Sequence, residues 1–289
     1  MASLLTVAAL ALSASFWSQL RDEDSDKVHV SRNFYGVLTV FEHRKSEPNE
    51  HHFLLQHGRI THGLQFVDPE AAAWPTTYYG EDSGVGLAMR ALPPQNRRIG
   101  LVGLGTGTLA SYGKAGDVLH IYEINRAVKQ IAYTNFSYLS HSPAKIEIAL
   151  GDARLSMERE PPQRFDLLAL DAFSGDAIPV HLLTKEAFQI YQRHLTTNAI
   201  IAVHISNHYL DLEPVVANLA KTFDYKMAVI DYDEKEEEWW LYSSTWILLT
   251  RNPEILNAPA IQNVTLPVKS HRQSVAWTDD FTSLYQILK

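Results

Sequence analysis

Three apolar runs in the middle of the chain each lead into an acidic residue. The run 118–122 ends at Glu123, the run 146–150 is followed by Gly151-Asp152-Ala153, and the run 165–170 ends at Asp171. A further run, Ile99-Gly100-Leu101-Val102, closes in Gly103-Leu104-Gly105-Thr106-Gly107-Thr108. Glycines adopt backbone conformations that side chains forbid and let a ligand come close to the chain. At the end of a parallel strand such a turn makes a nucleotide-sized pocket at a helix N-terminus, and a helix over 109–114 is expected to follow. A carboxylate at the next strand end, Glu123, suits the two hydroxyls of a ribose. Asp152 suits an adenine amino group, and the small Ala153 leaves room for the ring; Asp152 equally suits the cap of a following helix. Together these point to an adenosine-containing ligand. The dinucleotide pattern places a glycine at position 108, where this chain has Thr108, so S-adenosylmethionine (SAM) is favoured over NAD.

The loop after 165–170 reads Asp171-Ala172-Phe173-Ser174-Gly175-Asp176-Ala177-Ile178-Pro179. Two carboxylates, Asp171 and Asp176, flank the place where a reacting centre would lie. Carboxylates there bind an ammonium group and take a proton from an attacking amine. The plainer alternative is a polar strand-to-helix connection.

These residues need a scaffold that brings strand ends together. From position 97 short apolar runs at 99–103, 118–122, 146–150, 165–170, 199–205, 227–230 and 245–250 alternate with helical segments near 126–136, 153–159, 182–194 and 211–223. That alternation predicts an α/β domain, over 76–289, with a parallel sheet covered on both faces. The stretch 231–242 has no apolar helical face, so the last two runs form an antiparallel hairpin. The expectation is therefore a seven-stranded, Rossmann-like sheet of the SAM-dependent transferase type. Before it, β-rich runs at 35–41, 52–55 and 60–66 predict a small antiparallel unit, placed at 30–70, and 78–92 has helical spacing.

Composition narrows the chemistry. The chain has 289 residues, 46% hydrophobic and 20% charged, with a net charge of −8 and no cysteine. Disulfides, thiolate metal sites and cysteine nucleophiles are excluded. An acidic balance argues against nucleic acid and is compatible with a small cationic amine substrate. His51, His52, His57 and His62 cluster in the β unit, but strand alternation scatters them over two faces, so no metal is expected and His62 alone is placed at the pocket mouth. His204, Asn207 and Tyr209 follow the fifth run, within reach of the pocket. Trp239 and Trp240 suit either a substrate cap or rim packing. The segment 1–20 contains a nearly continuous apolar stretch followed by Arg21-Asp22-Glu23-Asp24. It is shorter than the roughly 20 apolar residues of a spanning helix and is read as the remnant of a transmembrane helix.

The combination Phe165-Asp166-Leu167-Leu168-Ala169-Leu170-Asp171, Asp176 and Leu183-Thr184-Lys185-Glu186-Ala187-Phe188 resembles the spermidine synthase (polyamine aminopropyltransferase) family. Arg32-Asn33-Phe34-Tyr35-Gly36-Val37-Leu38-Thr39-Val40, Thr61-His62-Gly63 and Thr76-Thr77-Tyr78-Tyr79-Gly80-Glu81 resemble its β unit and first helix. The tail Trp277-Thr278-Asp279-Asp280-Phe281 is similar to the bacterial branch fused behind transmembrane helices. The resemblance spans residues 32–285. It implies that the glycine turn (Gly103, Gly105, Gly107), Glu123, Asp152 and Ala153 hold the nucleoside of SAM or decarboxylated SAM as co-substrate. Asp171 would be the base, with Tyr79 on the attacking nitrogen. Asp176 would anchor the far ammonium of a diamine, and Glu81 and His62 are further substrate contacts. An aminopropyl group would pass to the amine, releasing methylthioadenosine. The implied setting is the cytoplasm, with a membrane domain at the N-terminus tethering the protein to the inner membrane, and a homodimer.

The departures lie on the substrate side. The family carries an aspartate in its glycine turn, where Thr106 stands here; its compact Asp-x-x-Asp-Pro loop is stretched by two residues; and the glutamine after the tyrosine is Gly80. Two alternatives therefore stand beside aminopropyl transfer. One is another SAM-using enzyme on this scaffold, a small-molecule methyltransferase or one that cleaves or cyclises SAM. The other is a non-catalytic SAM or polyamine sensor.

Overall fold

The computed structural model describes residues 26–172, 179–268 and 275–289, together with Leu12. Two sheets carry the described chain. The smaller is antiparallel, in the order β1 (Lys27–Asn33), β2 (Gly36–His43), β3 (His52–His57) and β4 (Ile60–Phe66). The runs at 35–41, 52–55 and 60–66 correspond to β2, β3 and β4. The first strand was not expected: most of its residues are exposed, so it has no continuous apolar face to mark it.

The larger sheet has the strands β5 (Arg98–Val102), β6 (Val118–Glu123), β7 (Lys145–Leu150), β8 (Phe165–Leu170), β9 (Leu195–His204), β10 (Lys226–Tyr232), β11 (Ser244–Thr250) and β12 (Thr265–Leu266). Their order is β12-β10-β11-β9-β8-β5-β6-β7. All seven expected strands are present, β10 and β11 form the expected antiparallel pair, and the two-residue β12 adds an eighth strand at the edge. The chain steps from β5 outward through β6 to β7, then returns to place β8 on the other side of β5. That reversal opens a crevice at the carboxyl ends of β5 and β8, where ligands of open α/β sheets bind.

Helices α1 (Gly84–Ala91), α2 (Arg126–Thr134), α3 (Tyr138–His141), α4 (Ala153–Arg159), α5 (Lys185–Arg193), α6 (Glu213–Thr222), α7 (Pro253–Leu256) and α8 (Pro259–Gln262) accompany the sheets. The central strands are buried on both faces, which is why they read as continuous apolar runs. Leu101, Ile121, Leu167, Ile200 and Leu248 point into one core, which the small sheet joins through Leu38, Val40 and Leu55. Their neighbours Val102, Tyr122, Leu168, Ile201 and Leu249 point into the other. A fully buried aliphatic side chain of this kind contributes about 1.5–3 kcal/mol.

Two helix expectations are corrected. The stretch 109–114 is a 3-10 turn, Thr108–Tyr112, entered through Gly107 at φ 88°. The helix expected over 78–92 begins at Gly84, where the Ser83 Oγ accepts from Gly86 N. The residues before it are drawn away by Thr77, whose amide donates to Trp240 O over 2.7 Å and whose φ is +55°. Tyr79 thus lies in a turn ahead of the helix. Trp239 and Trp240 pack on Phe66 and stay out of the crevice. Among the described residues no helix is long and apolar enough to cross a membrane. Apart from Leu12, the segment 1–20 lies outside the described residues.

Candidate active site

The crevice between β5 and β8 opens into a cavity of about 520 Å³. One wall is the small sheet, through Tyr35, Leu38, Leu55, His57, Thr61 and His62; the other is the row of strand ends Gly103, Glu123, Asp152, Asp171 and His204. The floor is tight. The Asp171 amide donates to Val102 O over 2.9 Å, and a Cβ on Gly103, whose φ is +99°, would collide with the Asp171 carbonyl. At Gly105 a Cβ would run into the His62 carbonyl. Glycine at these two positions lets the turn, β4 and β8 meet.

Glu123 is 7% exposed, and its carboxylate braces the turn. Oε2 accepts from Leu104 N at 3.0 Å and Oε1 from Asn125 N at 2.7 Å. Burial pushes its carboxyl above the ordinary value, against the pull of those amides. With the Ile124 amide also drawn to the carboxylate, a lone pair remains for a ligand hydroxyl. Asp152 does two things at once. Its Oδ1 accepts from Leu155 N at 2.8 Å as the cap of α4, and its Oδ2 meets His181 Nε2 at 2.7 Å. Ala153, 6% exposed, lines the same corner.

The centre of the site is Asp171. Tyr79 Oη donates to its Oδ2 at 2.6 Å, and His204 Nδ1 lies 2.7 Å from its Oδ1. Burial, reinforced by the Asp171 charge, raises the Tyr79 phenol well above its ordinary pKa, so it stays a donor. His62 lines the cavity with its Nε2 buried and unpartnered. Burial and the neighbouring His57 push its pKa down to about 4, so it is a neutral imidazole at pH 7. The other acid on the wall is Asp231, while Lys289 turns its Nζ to Asn207 O at 2.6 Å. Carboxylates thus outnumber free cationic groups here, an arrangement that suits a positively charged ligand.

The remaining sequence candidates divide. Glu81 stands outside the cavity lining, with its side chain 66% exposed and 3.4 Å from Arg90 Nη1. Two residues after Tyr79, its side chain faces solvent. Gly107 lies beneath the turn, in a small void of about 10 Å³, and does not line the main cavity. Asp176 lies outside the described residues. Asn207 lines the cavity, whereas Tyr209 is 65% exposed and does not. His51, His52 and His57 pair separately with Glu42, Glu50 O and Tyr35 O. Among the described residues no three His, Asp or Glu converge as a metal site would require. Sequence reasoning missed His181, Ser206, Asp231 and Lys289; only His181 had a cue, being a titratable residue just before α5 at a strand-to-helix crossing.

No family profile matches the chain. A polyamine aminopropyltransferase of Vibrio vulnificus (strain CMCP6) is 26% identical over 205 residues, covering 68% of this chain. The match spans 65% of that relative's length, just under two thirds. A spermidine synthase from Thermotoga maritima superposes with a TM-score of 0.57 at 12% identity, covering 88% of this chain and 82% of that one. A probable spermidine synthase from Corynebacterium glutamicum ATCC 13032 gives 0.58 at 17% identity, covering 77% and 79%. A spermidine synthase in complex with the transition-state analogue AdoDATO gives 0.54 at 11% identity, covering 88% and 82%. The resemblance read from the sequence therefore holds in the relative and in the fold, which is that of the spermidine synthases. The membrane-fused branch finds no support in these comparisons.

Proposed function

We propose that the cavity transfers an aminopropyl group from decarboxylated SAM to a small cationic diamine. The observation that carries this reading is the Tyr79–Asp171 hydrogen bond at 2.6 Å on the wall that Glu123 and the glycine turn also form. Glu123 accepts from the ribose hydroxyls, and Asp152 with Ala153 takes the adenine. The Vibrio relative's name and the AdoDATO complex of a structural neighbour support the same chemistry.

An alkylammonium is no nucleophile until it loses a proton. On this reading Asp171 accepts that proton, and Tyr79, kept protonated, holds the carboxylate and offers its oxygen to the amine. The nitrogen then attacks the aminopropyl carbon beside the sulfonium sulfur. A C–N bond forms, the C–S bond breaks, and the sulfur keeps the electron pair in methylthioadenosine. Positioning and charge neutralisation supply the rate. His62, a neutral ring, adds a hydrogen-bonding group without repelling the cation. Asp176 is proposed as the anchor of the far ammonium. The reaction needs neither metal nor nucleic acid, and its setting is the cytoplasm. A homodimer is proposed and is tested by light scattering on the purified chain.

Thr106 favours a second reading. It is 1% exposed, its hydroxyl lies 2.8 Å from Thr108 Oγ1, and Gly63 packs against it. At that position no carboxylate meets the amino group of the donor's tail, which favours ordinary SAM as the substrate of a methyl transfer or a cleavage. The discriminating experiment supplies SAM and decarboxylated SAM separately, with and without diamines, and identifies products by mass spectrometry. Methylthioadenosine formed only from decarboxylated SAM plus diamine is the expected result. S-adenosylhomocysteine would show methyl transfer, methylthioadenosine from SAM alone would show cleavage or cyclisation, and binding without turnover would leave a sensor.

A further inference from the structure

We propose that His204 is the positioning residue of Asp171 and that Ser206 fixes the tautomer His204 needs. This rests on the reading of Asp171 as the base. His204 is the last residue of β9, the strand paired with β8, so it stands beside Asp171 at the same end of the sheet. Its Nδ1 lies 2.7 Å from Asp171 Oδ1, while Tyr79 holds Oδ2.

The other ring nitrogen decides the proton's place. His204 Nε2 lies 2.8 Å from Ser206 Oγ, and that oxygen already accepts from the Thr245 amide at 2.8 Å. Of the two partners of Ser206 Oγ among the described residues only Nε2 can accept, so the hydroxyl proton is directed there. With Nε2 accepting, the neutral ring carries its proton on Nδ1 and donates to Asp171. The ring plane is set independently. Trp246 stacks on it with centroids 4.5 Å apart and planes 7° apart, and the indole is itself held by its Nε1 donating to Tyr78 O at 3.3 Å. Trp246 pairs with His204 across β11 and β9, so the stack is built into the sheet register.

The consequence is mechanical. Each carboxylate oxygen of Asp171 accepts one fixed protein donor and keeps a lone pair for the amine, and rotation about its Cβ–Cγ bond would break both bonds. His204 carries no proton of the reaction; Asp171 takes it and releases it. A carboxylate held in this way meets each incoming amine in one orientation.

The test compares His204→Phe, which keeps the stack and removes the donor, with His204→Asn, which restores an N–H near the Nδ1 position. The rate measured is methylthioadenosine formation from decarboxylated SAM and a diamine. His204→Phe should lower kcat by about ten- to a hundredfold while the donor KM and the methylthioadenosine Kd stay within about twofold. His204→Asn should recover most of the loss, and Ser206→Ala should lose less than His204→Phe. A His204→Phe protein with unchanged kcat overturns the assignment, and so does a His204→Asn protein as slow as His204→Phe, which would show a packing role. An inactive Asp171→Asn beside an unaffected His204→Phe refutes only the His204 assignment, whereas a fully active Asp171→Asn overturns the base reading and this assignment with it. Nitrogen NMR of the histidine-labelled protein gives a readout independent of turnover. A ring protonated on Nδ1 alone is expected, and a proton on Nε2 would refute the proposal.

Discussion

Tyr79 donates its phenolic proton to Asp171 across 92 residues of sequence and 2.6 Å of space. The bond joins a turn ahead of α1 to the end of β8, so it is a product of the tertiary fold and not of local sequence. Removing the hydroxyl with Tyr79→Phe leaves the Tyr112 hydroxyl on the Tyr79 carbonyl and the ring in the core. The expected outcome is a fall in kcat of about ten- to a hundredfold with little change in melting temperature. Steady-state kinetics with a thermal melt on the same sample checks it.

Asp171→Asn keeps the shape of the side chain but cannot take the amine proton. Loss of a general base costs about a hundred- to ten-thousandfold in turnover. Methylthioadenosine has no reacting amine, so its affinity should change far less. Equal loss of turnover and of nucleoside binding would make Asp171 a ligand-positioning residue.

Glu123→Ala removes the proposed ribose acceptor and the brace on Leu104 and Asn125. A charge-assisted hydrogen bond is worth about 1.5–3 kcal/mol, so methylthioadenosine should bind roughly ten- to a hundredfold more weakly. Calorimetry is the measurement, and unchanged affinity in a folded variant would remove Glu123 from the site.

The chain should lose stability as pH falls below about 6.5, the ordinary histidine value. His52 is 5% exposed, and burial, followed by the charges of His43, Arg44 and His51, lowers its pKa to about 4. Between those two values the unfolded chain binds the proton and the folded chain does not, so acid favours unfolding; the contribution is complete above 6.5 and is lost as pH falls toward 4. At pH 5 this amounts to about 1–2 kcal/mol relative to pH 7. Replacing the ring with His52→Phe, beside Phe66 and Trp239, should flatten that part of the curve in denaturant titrations. An unchanged slope would place the acid sensitivity elsewhere.

Arg97 and Asp117 form a buried ion pair just before the amino-terminal ends of β5 and β6, two interior strands of the large sheet, with side chains 2% and 0% exposed. Asp117 also accepts from the Arg97 and Lys114 amides at 2.9 and 2.8 Å, and despite its burial these partners hold its carboxyl below the ordinary value. Asp117→Ala would strand the guanidinium and should cost about 3–5 kcal/mol. Chemical denaturation measures it directly.

The α/β alternation, the glycine turn and the acids at 123, 152 and 171 were legible because each marks a strand end in local sequence. What eluded the sequence depends on distant partners. Strand β1 has no apolar face. The start of α1 is moved by Thr77 reaching Trp240, and Glu81 turns outward two residues after Tyr79 turns inward. His204 was legible as a neighbour of the pocket but not as a partner of Asp171, because that requires knowing that β9 lies beside β8. Thr106 was read as a change of charge; its contact with Gly63 is a matter of packing between two sheets.

That contact has a further consequence. Because β4 rests on the glycine turn, a nucleoside bound as proposed would be clasped between a wall of short antiparallel strands and the parallel sheet. Occupancy should therefore be felt at a distance from the chemistry. Amides of β2 to β4, which contribute no strand to the large sheet, should exchange with solvent more slowly once methylthioadenosine is bound, so that the ligand acts as a rivet through two plates.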